Sequence, residues 1–321
     1  MNDSYKAKSE DLKNLLLQYR KFSRKQVEDT KNRYNQRIRE YIRDETRLKL
    51  DGAQVRIVIS DDFSPIFRKI IQDKERQFWE IFINLNLLKE TSHGLMFLNE
   101  KLSLIPDLLP EETHLVKSEN IIEIKNFIDN ILKFFDRRDF WESFKTPLDK
   151  PEKNEISEVL GAYFFHENKI VLYWPSITII AITLDISIES LTVVTLIHEL
   201  THAYTHLGKD SDSLAWNTED FCKTHLFILE GIAQFYTERI CKDKFSDMSD
   251  IYNAFKELLK YQGEAYTSYT RWVDNKKHEV ETIRSSMIIC SHKPIHEFNE
   301  FMAEVKDIEQ RFKTLKGKRL K

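Results

Sequence analysis

His198-Glu199-Leu200-Thr201-His202 places two imidazoles and a carboxylate at a spacing that could hold and use a metal ion. Residues at i and i+4 share one helix face about one turn apart, so His198 and His202 can converge on a single ion. Glu199, one residue on, points beside that ion rather than into it. Its carboxylate can act as base toward a water that the ion activates, because zinc lowers the pKa of water to about 7. A catalytic zinc takes three protein ligands and leaves one position open. Glu230 is the expected third ligand, since it sits in the apolar run Phe227 to Tyr236, where a carboxylate is costly unless paired or metal-bound. Glu219 and Asp220 compete for that role, but they stand at a helix start, where capping and the helix dipole account for them. His206 lies about 12 Å along the helix axis from His198, too far to share the same ion. A pair of His202 and His206 would put Ala203 where the base belongs. His206 is therefore expected to support the site or to lie at the surface beside it. The ligand set is His198, His202 and Glu230, the cofactor Zn2+, and the catalytic base Glu199.

The elements that must position these residues are legible around them. Ser187 is a suitable N-cap and Glu189 suits the positive end of the dipole, while Gly208 stops the helix after Leu207. Apolar residues occur on every face, so this helix should be buried. A second helix is expected to start at Asn217 or Thr218 and run through Glu230 to Tyr236. Gly231 and Ala233 are small, which would let it approach the histidine helix closely. Upstream, Gly161 to Phe165 and Lys169 to Trp174 read as a β-hairpin turning at His166-Glu167-Asn168, with Pro175 ending the second strand. Gln54 to Ser60 reads as one short strand. Amphipathic helices are expected from about Asp61 to Glu90 and from Ser118 to about Phe144, and a long polar helical region over 1–50.

At this point the sequence resembles the zincin metallopeptidases, and among them the gluzincins. His198 to His202 is similar to the thermolysin form of the motif, and Glu230-Gly231-Ile232-Ala233 to the ligand segment of many gluzincins. The metzincin pattern is absent, since Thr205 and Gly208 stand where it needs Gly and His. The resemblance covers roughly residues 160–240. It implies a zincin core, a zinc-dependent peptidase activity, and a protein or peptide substrate. It also implies that Lys169 to Trp174 is an edge strand that pairs with the substrate backbone. Two departures stand out. The gap from His202 to Glu230 is longer than in thermolysin-like enzymes, and Gln234 occupies the place of an Asp that supports a ligand histidine. An oxyanion donor is to be sought downstream among Tyr236, Tyr261, Tyr266, Tyr269, Arg271 and His278. Cys222 and His225 make a weak second metal pair.

The whole chain sets the frame. It has 321 residues, 41% of them hydrophobic, with a net charge of -3 that implies neither disorder nor a general affinity for nucleic acid. Only 7 Gly and 7 Pro argue for a mostly helical protein. The expected fold class is α+β, predominantly α, with a zincin-like core, a small antiparallel sheet and a helical N-terminal part. The expected division is a mainly helical region at 1–146, regulatory or partner-binding, and a metallopeptidase domain at 147–321. In residues 1–50, Lys and Arg outnumber Asp and Glu 14 to 8, which suits a solvated helix or a surface for a protein partner. Three unpaired cysteines and a polar start favour a reduced, cytoplasmic protein without a membrane span. The alternative reading is a non-catalytic binding or regulatory module that keeps the zincin fold; an intact Glu199 argues against it.

Overall fold

The computed structural model describes residues 2–52, 54–62, 64–65, 156–157, 160–274, 276–293 and 295–319. The expected helices at 61–90 and 118–144 lie outside this set, apart from a few residues at the start of the first. Residues 14–68 group with 145–321 as one compact unit, and 1–13 with 69–144 as another. β1 and most of the first helix belong to the unit that carries the site.

The first helix, α1 (Asn2–Thr46), is long and polar. In its later part Val27, Tyr34, Ile38 and Ile42 are buried, at spacings that keep one stripe facing inward. Charge fixes its end: Glu45 pairs with Arg239 at 3.1 Å and with Lys244 at 3.2 Å, and Arg284 donates to the Glu45 carbonyl at 2.8 Å.

Strands β1 (Arg56–Ser60), β2 (Ile156–Ser157), β3 (Gly161–Phe164) and β4 (Lys169–Tyr173) form one sheet in the order β1-β4-β3-β2. The hairpin β3–β4 is antiparallel, and Asn168 takes the left-handed conformation (φ 46°) in its turn. β1 pairs with β4 in parallel, Val58 opposite Val171. The sheet is therefore mixed, not purely antiparallel. A parallel partner comes from far away in sequence, so hairpin signals alone do not reveal it. β4 lies between β1 and β3 and is not an edge strand; both of its backbone edges are already engaged. The expectation that Lys169 to Trp174 pairs with a substrate backbone is thus overturned.

After β4 the chain turns into α2 (Trp174–Thr183), with Pro175 in its first turn, where a missing N–H costs nothing. α3 (Ile188–Leu207) follows. Ser187 caps it, accepting from the Ser190 N–H at 2.9 Å. Every residue from Ser190 to His206 is buried. The helix packs against β3, α2, α5 (Leu226–Arg239) and α6 (Ser249–Leu259), so no face is left for water. Its threonines survive burial by satisfying themselves locally. Thr192, Thr195, Thr201 and Thr205 each donate to the carbonyl four residues back, at 2.6 to 2.9 Å. At the helix end the extended Gly208 donates its N–H to the Tyr204 carbonyl at 2.8 Å, and an added Cβ there would lie 2.3 Å from that oxygen and 2.7 Å from Leu48 Cβ. Among the described residues, no helix is long and apolar enough to cross a membrane.

The second expected helix is in fact two. α4 (Thr218–Lys223) is capped by the Asn217 side chain, and α5 begins after His225, whose Nδ1 accepts from the Phe227 N–H at 3.2 Å. The break falls where this histidine caps the second helix through Nδ1.

Candidate metal centre

α3 and α5 pack together and bring three ligand atoms to one point. His198 Nε2 lies 3.0 Å from His202 Nε2 and 3.1 Å from Glu230 Oε2, and His202 Nε2 lies 3.6 Å from the same oxygen. The three side chains are 3%, 1% and 0% exposed. Among the described residues this is the one group of three or more His, Cys, Asp or Glu side chains arranged to hold an ion. Glu219 and Asp220 stay at the start of α4, where their N–H groups donate to Asn217.

The orientation of His198 is set from behind. Its Nδ1 lies 2.9 Å from Gln234 Oε1, and Gln234 Nε2 donates to Gln262 Oε1 at 2.7 Å. An amide oxygen at that place requires the proton on Nδ1, which leaves the Nε2 lone pair facing His202 and Glu230. Gln234 thus does for His198 what an aspartate would do. Burial works against ionising Glu230, but the adjoining His202 and His198 rings outweigh it, and the carboxyl is held below the ordinary carboxylate range. Glu230 Oε1 is buried without a hydrogen-bond partner among the described residues. Two imidazole nitrogens and a carboxylate oxygen facing one another are electron-rich and stable only around a proton or a cation. The donor set fits a metal that accepts nitrogen and oxygen ligands.

Glu199 is wholly buried on the same helix. Its carboxylate fits against β3 at Gly161, where an added Cβ would lie 2.8 Å from Glu199 Oε1. Sequence reasoning missed Gly161. Its signal was a glycine at the head of a strand, which marks a close approach by another group.

Gly231 does not serve the packing of α3 on α5. An added Cβ would lie 2.2 Å from Trp272 Cζ2 and 3.1 Å from Ser268 Oγ, so the glycine makes room for the tryptophan. Of the downstream donors, Tyr266 comes beside the site, its ring centroid 6.1 Å from that of His198. Tyr269 donates to Glu238 at 2.8 Å, Arg271 pairs with Glu264 at the surface, and the His278 ring stacks on Phe312. Tyr236 is completely buried. Tyr261 is half-buried. Cys222 is exposed, the His225 ring caps α5 through Nδ1, and among the described residues neither belongs to a group of three potential ligands.

His206 is neither a ligand nor a surface residue. It is 1% exposed, with Nδ1 2.9 Å from the Tyr163 hydroxyl and Nε2 3.0 Å from Thr218 Oγ1, and it stacks on Phe221. Burial, with a smaller contribution from His166, lowers its pKa to about 4. The fold thus holds it neutral, whereas the unfolded chain protonates it at about 6.5. Its stabilisation is fully present above pH 6.5 and is lost as pH falls toward 4, by about 3 kcal/mol in all. Urea unfolding of His206→Gln should show a flatter decline between these limits than wild type. Equal slopes would mean that this histidine does not carry the dependence.

No family model, curated protein or solved structure matches the chain.

Proposed function

We propose that this protein is a zinc-dependent peptidase in which His198, His202 and Glu230 hold the ion and Glu199 is the general base. The observation that carries the reading is the convergence of three buried ligand atoms from two helices, with Glu199 on one of them. A tetrahedral ion with ligands at about 2.0–2.1 Å sets its ligand atoms about 3.3–3.4 Å apart. The separations here, 3.0, 3.1 and 3.6 Å, bracket that value. Two imidazoles and a carboxylate also suit zinc better than magnesium or calcium, which take oxygen ligands. Zinc, when bound, supplies Lewis acidity that makes a hydroxide nucleophile available near neutral pH. Glu199 takes the proton from the attacking water and passes it to the leaving amine nitrogen as the C–N bond breaks. Gln234 holds the proton on His198 Nδ1 throughout. The substrate class is a protein or peptide.

One observation favours a second reading. Glu199 and the three ligands are all 3% exposed or less, an enclosure that equally suits a non-catalytic module with a metal at its core. Metal analysis after purification with zinc, joined to a peptide-library assay, separates the two. The peptidase reading expects about one zinc per chain together with hydrolysis. Zinc without hydrolysis supports the non-catalytic module, and absence of stoichiometric metal overturns both.

A further inference from the structure

We infer that Gln262 is a positioning residue for the ligand His198, acting through Gln234; the inference rests on the metal reading of the site. A primary amide has nearly the same shape in either orientation, so its hydrogen-bond partners decide which end is which. Gln234 is 2% exposed and bonded to His198 on one side and Gln262 on the other. With an acceptor at Gln262, the Gln234 NH2 points there and its carbonyl faces His198. Were Gln234 reversed, its NH2 would meet Nδ1, the ring proton would move to Nε2, and the atom needed as ligand would be capped. An aspartate behind the histidine would need no such help, since both its oxygens accept. A glutamine there is held in one orientation only by its partners on both sides, and Gln262 Oε1 is the partner opposite His198. It is half-buried in the turn between α6 and α7 (Glu264–Thr267). Tyr266, in α7, also lies beside the His198 ring. The α6–α7 segment therefore supports the ligand from two directions.

The test compares three variants of the full chain by zinc affinity and by ring 15N spectra of His198. Gln262→Met removes the acceptor at similar size, and zinc affinity is expected to fall about tenfold, as for other partners behind a ligand. Gln262→Lys offers only donors, so it should reverse Gln234, move the proton to Nε2 and weaken zinc further. Gln262→Glu keeps an acceptor and should keep the proton on Nδ1 and an affinity close to wild type. Unchanged affinity and an Nδ1 proton in the Met and Lys variants would overturn the relay. An equal loss in the Glu variant would overturn it too, by showing that packing rather than acceptance matters. If Gln262→Met does not fold, the contrast between Lys and Glu decides. Failure of wild type to bind zinc would instead remove the metal reading, and the His198 spectra would still judge the hydrogen-bond relay.

Discussion

Glu199→Gln is expected to keep one zinc per chain and lose peptide hydrolysis, with the rate falling about 10²–10⁴-fold. The substitution is nearly isosteric, so the fit against Gly161 is preserved. What disappears is basicity: an amide cannot take a proton from water at neutral pH. The ligand atoms belong to other side chains and keep their separations, so metal content should not change. Turnover of a peptide substrate and zinc content are read on the same preparations. Hydrolysis at the wild-type rate by the glutamine variant would remove Glu199 from the mechanism. Loss of zinc along with activity would show instead that Glu199 helps to hold the ion.

Glu230→Ala should strip the centre of metal, while Glu219→Ala should not. Removing a direct ligand takes away both a donor and the negative charge that offsets the ion. The loss should therefore exceed the roughly 10–100-fold typical of a partner one shell out. The cavity it leaves is also lined by two imidazoles whose ring nitrogens lose their neighbour. Glu219 stands at the start of α4 as part of a capped helix end, and its loss should cost only a fraction of a kcal/mol. Zinc retention after dialysis against a weak chelator distinguishes the two. If Glu219→Ala lost metal and Glu230→Ala kept it, the third ligand would have to be moved.

The parts of the fold read most easily from sequence were those set by short-range rules. Ser187, Gly208 and the apolar residues on every face between them mark α3, and Asn168 marks the hairpin turn. The helix spacing of His198 and His202, and the isolation of Glu230 in an apolar run, likewise point to the cluster that forms. What escaped depends on contacts between distant segments. β1 joins the sheet in parallel from more than 100 residues upstream of β4, and no local pattern encodes that pairing. No local pattern marks His225 as a cap, because its capping bond depends on the break at Thr224. His206 has a helical spacing from the ligands, but its burial follows from Tyr163, Thr218 and Phe221, which meet it only in the folded chain. Gln262 is separated by 28 residues from the glutamine it orients.

Gly231 and Trp272 amount to a single choice made at two places in the chain. The glycine is demanded by an indole edge where even a methyl group would overlap it. A descendant that kept the tryptophan would have to keep the glycine, whether or not Glu230 ever met an ion. A descendant with a smaller residue at 272 would be free to place alanine after the carboxylate and gain about 1 kcal/mol of helix propensity. The identity of residue 231 is thus set by an aromatic ring forty-one positions away, and the two residues should change together or not at all.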